Sequence, residues 1–109
     1  MATAYKVLGQ VAPAATTATA VYTVPSATEA VVSSISVCER GGSQATFRLM
    51  VRPDGAALSN EHYLVYDATV AANDTIILTI GITMDATDVL EVYASSADLS
   101  FHAYGSEIS

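Results

Sequence analysis

Tryptophan is absent from this 109-residue chain, cysteine occurs once, and only four residues are basic. The lone Cys38 rules out an internal disulfide, and with it the stapled framework of small secreted domains. At the end of an apolar run, it reads as a packed small hydrophobe rather than a nucleophile. Lys6, Arg40, Arg48 and Arg52 stand against eleven acidic residues, a net charge of −7. That balance argues against nucleic acid as a partner, which needs a basic footprint, and against an anionic membrane surface. No apolar run approaches the roughly 18 residues of a spanning helix. The first residues lack a charged stretch followed by an apolar one, so no Sec signal is expected and synthesis in the cytoplasm is. With only Phe47 and Phe101 for phenylalanine, an aliphatic core is expected, with six tyrosines supplying most of the aromatic area.

What the chain has is alternation. Phe47, Leu49 and Val51 alternate with Arg48, Met50 and Arg52. Ile76, Leu78 and Ile80, then Leu90, Val92 and Ala94, then Leu99, Phe101 and Ala103 repeat the pattern. A period of two is that of half-buried strands. The intervening positions are mostly Ala, Ser and Thr, and only 14% of residues are charged, so the outer faces are bland.

Strands are expected over residues 5–10, 19–24, 29–39, 44–52, 61–70, 75–84, 89–95 and 99–104, with a tail after Tyr104. On 29–39, Val31, Ile35 and Val37 are expected on one face, with Val32, Ser34, Ser36 and Cys38 on the other. Arg40-Gly41-Gly42-Ser43 and Ser95-Ser96-Ala97-Asp98 are short connections, which predicts hairpins at both places. Gly81 marks a bulge or close approach. The length fits one domain, with residues 1–17 as a partly extended N-terminal arm. About eight short strands with regularly spaced turns predict an all-β fold, an antiparallel β-sandwich of jelly-roll-like or immunoglobulin-like type.

The chemistry-bearing residues are few. His62 and His102 show no metal-ligand spacing. Asp85-Ala86-Thr87-Asp88 offers clustered oxygens for calcium, but it lacks an EF-hand loop, and Asp and Thr are ordinary turn formers. No Gly-x-Ser-x-Gly elbow or phosphate loop is present. The reading is of a non-enzymatic protein without cofactor. Arg48 and Arg52 share one strand face and, with Arg40, form the only concentrated positive charge, suited to an acidic partner or a neighbouring subunit. Tyr93 and His102 share the outer phase of the last two strands. Tyr63, Tyr66, Tyr93 and Tyr104 suggest either subunit packing or a sugar platform. The contact candidates are therefore Arg40, Arg48, Arg52, Tyr93, His102 and Tyr5.

The segment from Thr83 to Ser95, with its Leu90-Glu91-Val92-Tyr93-Ala94-Ser95 strand, runs into Leu99-Ser100-Phe101-His102-Ala103-Tyr104-Gly105-Ser106-Glu107. Together with Tyr5-Lys6-Val7-Leu8-Gly9-Gln10 and Tyr22-Thr23-Val24-Pro25, it resembles small virion proteins of tailed bacteriophages. The resemblance implies a β-sandwich that assembles as a homotrimer. It implies a capsid decoration (cement) protein, held on the virion by the major capsid protein or another virion protein. The alternative it implies is a tail-associated adaptor or a receptor- or carbohydrate-binding module. No catalytic residues come with it.

Overall fold

The computed structural model describes residues 2–109. The alternation is realised as nine strands: β1 (Thr3–Val11), β2 (Thr19–Thr23), β3 (Glu29–Glu39), β4 (Ala45–Arg52), β5 (Tyr63–Val70), β6 (Thr75–Leu78), β7 (Ile82–Met84), β8 (Val89–Ala94) and β9 (Leu99–Ile108). All pairings are antiparallel and build two sheets. Sheet A runs β1-β9-β3-β6, with β7 also on β3; sheet B runs β2-β8-β4-β5. β6 and β7 lie end to end along the same edge of β3, interrupted where Gly81 takes a φ of 59°. Counted as one broken strand they make eight. Each sheet interleaves strands from the two halves of the chain, which is the jelly-roll arrangement. An immunoglobulin sandwich instead keeps several consecutive strands as neighbours.

This interleaving overturns both expected hairpins. β3 and β4 lie in different sheets, as do β8 and β9. The short segments between them are arches that cross from one sheet to the other. A strand pattern followed by a Gly-rich turn suits either geometry, and what decides is which partner lies beside each edge. Consecutive β4 and β5 do pair, joined by residues 53–62.

The β3–β4 arch is fastened by one carboxylate. Glu39 ends β3 with its side chain turned inward, and only 2% of it is exposed. Its oxygens accept the backbone N–H groups of Gly41 (2.8 Å), Gly42 (2.9 Å) and Asn73 (3.0 Å). Glu39 thus ties the β3–β4 arch to the β5–β6 turn. The Asn73 N–H first, and then those of Gly41, Gly42 and Ser43, hold its carboxyl below the ordinary carboxylate range against the opposing effect of burial. The β8–β9 arch joins the same end, where Arg40 N donates to Asp98 O and the Arg40 guanidinium to Ala97 O (both 2.9 Å).

Between the sheets, Val32, Ile35 and Val37 of β3 and Leu99, Phe101 and Ala103 of β9 meet Phe47, Leu49, Leu90 and Val92 of sheet B. Phe47 and Phe101 touch edge to face, with centroids 6.0 Å apart, and so pin the sheets together at the centre. Two expectations, one about facing and one about the chain after Tyr104, are corrected. A bulge between Val32 and Ser34 adds one residue to β3, so Val32 is buried and Val31 points outward. One inserted residue flips the phase of a period-two strand. The expected tail is also strand, because β9 continues to Ile108. Gly105 permits this: a Cβ there would sit 1.8 Å from the carbonyl oxygen of Val31 on β3.

A candidate interaction face and its counterpart

The ladder fixes which residues look outward. From sheet A these are Thr3, Tyr5, Val7 and Gln10 on β1, and Ser100, His102, Tyr104, Ser106 and Ile108 on β9. β3 adds Glu29, Val31, Ser34, Ser36 and Cys38, and β6 and β7 add Thr75, Ile77 and Thr83. Among the described residues, Glu29 at one end is the only Asp, Glu, Lys or Arg in this set, and His102 is its one histidine. On a chain of net charge −7, this four-strand face has a middle free of Asp, Glu, Lys and Arg. Apolar groups stand proud of it: Tyr5 is 86% exposed and Ile77 67%.

The face is also shaped. Bulges occur at the same level in β1 (between Val7 and Gly9) and in β3 (between Val32 and Ser34), on either side of Tyr104. Between them lies a hollow of about 510 Å³ lined by Tyr5, Lys6, Val7, Val31, Ser33, Tyr104, Gly105 and Ser106. Lys6 is neutralised by Glu107 at 2.8 Å. Glu107 also accepts the hydroxyl of Tyr22 (2.6 Å), and these two bonds, Lys6 first, hold its carboxyl below the usual range. Burial, helped by the Glu107 carboxylate, pushes the Tyr22 hydroxyl above the ordinary tyrosine value. At the centre of the face, His102 Nδ1 lies 3.2 Å from the Gln10 amide nitrogen and 3.1 Å from the Tyr104 hydroxyl.

The outer face of sheet B is different in kind. Arg48 lies between two tyrosine rings, its guanidinium carbon 4.1 Å from the Tyr66 centroid and 4.4 Å from that of Tyr93. Asp67 accepts from its Nε at 2.8 Å. A φ of 54° puts Asp67 in the left-handed region, where an irregularity in the β4–β5 ladder aims its carboxylate at Arg48. Tyr63 meets Tyr66 edge to face at 5.0 Å. Arg52 pairs with Glu91 at 3.2 Å and donates to the carbonyls of Gly55 and Ala56, tethering the 53–62 segment. That segment carries a short 3-10 turn (Asn60–His62), in which Ser59 N–H donates to His62 Nδ1. His62 therefore sits buried in this turn rather than on a strand face, and the outward Met50 is buried as well.

The six contact candidates thus separate. Tyr5 and His102 lie on the sheet A face, Arg48, Arg52 and Tyr93 on the sheet B face, and Arg40 at the arched end. Tyr93 and His102, expected on one hairpin, belong to opposite sheets. Each arginine of β4 has an acidic partner within the chain, so the positive spot read from the sequence is electrically closed. At the far end, Asp88 accepts the backbone N–H groups of Asp54 (2.8 Å) and Asp85 (2.9 Å), which is turn chemistry. Among the described residues, no three His, Cys, Asp or Glu side chains are grouped to hold a metal ion. Sequence reasoning missed the hollow and the uncharged face, because both depend on which strands become neighbours. The signal was there only as serines at the outward positions of two strands 60 residues apart, Ser34 and Ser36 on β3 and Ser100 and Ser106 on β9. Compared with known proteins, the chain matches no protein-family model and no curated protein.

Proposed function

We propose that this chain is a non-enzymatic structural component of a tailed-phage particle, a capsid decoration protein that stabilises the shell by the surface it buries. The observation that carries this reading is the outer face of sheet A, whose middle holds no Asp, Glu, Lys or Arg, on an otherwise acidic molecule. Burying a charge against a neighbour is costly unless it is paired, so a surface kept clear of charge is suited to burial. Its serines and threonines suit it further, since short side chains lose little rotamer freedom on contact. The sequence resemblance supports the virion setting, and jelly rolls serve in capsid domains. The fold alone would not decide, because the same architecture serves in lectins.

Cryo-electron microscopy of virions carrying the tagged chain is the test. Density at regular lattice points over the capsid is the expected result. Density at one vertex or on the tail would replace decoration by an adaptor role, and absence from the particle would overturn the virion setting.

A carbohydrate-binding role is the second reading, and the tyrosine cluster of sheet B favours it. Tyr66 is 61% exposed, and its ring is held in place by Arg48 beneath it and Tyr63 beside it. A fixed aromatic face is what a sugar ring stacks on. Under this reading a glycan array gives hits with the purified chain, and Tyr66→Ala lowers their affinity by at least about tenfold. An array without hits sinks it.

A further inference from the structure

We propose that the outer face of sheet A is the contact surface for a second copy of this chain, related by a two-fold axis through the face. The inference deepens the assembly reading above by naming what covers that face. The first argument is electrostatic. Two copies each carrying −7 repel one another over most approaches. Face to face through sheet A they bring together Tyr5, Val7, Val31, Ser34, Ser36, Ile77, His102 and Tyr104 instead, and the one acidic group of the face, Glu29, stays at the end of the sheet.

The second argument is shape. The face carries both a projection and a recess: the Tyr5 ring, 86% exposed, stands at one wall of the hollow beneath it. An isologous contact needs each surface to be complementary to itself, so that residue i meets j while j meets i. A knob beside a hole satisfies that requirement, with each Tyr5 seated against the Val31, Ser33 and Tyr104 side of the other copy's hollow. Tyrosine suits the role, with an apolar body to bury and a hydroxyl that finds Ser33 or Ser106. The third argument is size. Four strands about 4.8 Å apart and about ten residues long span roughly 19 by 33 Å, which with side-chain relief approaches the roughly 800 Å² per partner of a standard interface. A two-fold contact gives a dimer, not the trimer implied by the sequence resemblance.

Sedimentation equilibrium of the purified chain over a concentration series tests this, with Ser36→Glu, Tyr5→Ala and the sheet B control Thr69→Glu. All three positions lie outside the core, and the thermal midpoint of each variant checks that it is folded. The expected result is a dimer at about 100 μM whose dissociation constant rises at least tenfold in Ser36→Glu and in Tyr5→Ala but not in Thr69→Glu. A monomer at about 1 mM, a trimer, or a dimer indifferent to both sheet A substitutions overturns the proposal. A dimer never found on particles sinks the decoration reading and leaves this one standing. A monomer that occupies particles does the reverse.

Discussion

Replacing Phe101 by alanine is expected to destabilise the fold by about 3–5 kcal/mol. Phe101 is 1% exposed and lies on β9, in the middle of sheet A. Its ring meets Phe47 across the sandwich, and no other phenylalanine is present to take up the space. The neighbours that could collapse into the void are Val, Leu and Ala on paired strands, which cannot shift without breaking their ladders. The loss therefore includes most of the cavity cost as well as the transfer cost. Against a usual total of about 5–15 kcal/mol, it leaves a marginal protein. Urea denaturation of Phe101→Ala and Phe101→Leu measures it, with leucine expected to lose much less because it fills more of the volume. A Phe101→Ala midpoint close to wild type would mean that the two sheets are not pinned at this point.

Substitution of Glu39 is expected to have the next largest effect and to change how stability depends on pH. Three backbone donors converge on this one carboxylate, from the β3–β4 arch and the β5–β6 turn. Alanine leaves all three without their acceptor, and the thermal midpoint is expected to fall by roughly 10 °C. Glutamine keeps one acceptor oxygen and is expected to fall less. The folded carboxyl lies below its ordinary value of 4.5, so its contribution is fully present above that pH and is lost as pH falls through the folded value. Glu107, held down by Lys6 and Tyr22, acts in the same direction. Wild-type stability should thus decline on acidification below about pH 4.5, and Glu39→Gln should flatten part of that slope while leaving the Glu107 part. Denaturant midpoints measured between about pH 6 and pH 3 separate the two, and parallel curves would remove Glu39 from this role.

The strands themselves were legible in the sequence because burial in a two-layer fold writes itself as alternation. The span of β3 and the inward set Phe47, Leu49 and Val51 follow directly from it. What alternation does not carry is partnership. Arg40-Gly41-Gly42-Ser43 reads as a hairpin turn until Glu39 is seen folding its carboxylate back over the glycine N–H groups. That arrangement depends on Asn73, 34 residues away. Nor does alternation show where it breaks phase: Val31 and Val32 are chemically the same, and only the extra residue at Ser33 decides which is buried. Arg48 and Arg52 read as the concentrated positive charge, but their partners Asp67 and Glu91 lie on flanking strands, and spacing does not assign them. The uncharged face is the sum of residues from five separate strands, each unremarkable alone.

The order of the strands also sets the order in which the molecule can come into being. β9 lies between β1 and β3, and β8 lies between β2 and β4, so the last two strands of the chain occupy interior positions in both sheets. Until they arrive, β1 and β2 have no ladder to join and β3 and β4 each lack a partner on one side. A chain emerging from the ribosome therefore holds apolar strands with open edges until β8 and β9 are made, and only then can both sheets close together. Pairings so distant in sequence close slowly, and unpaired edges invite association in the interval. A surface poor in charge helps a finished molecule to be covered by a neighbour, but it gives an unfinished one little to repel with. The net charge of −7, carried mostly in the turns, is what remains to keep nascent copies apart.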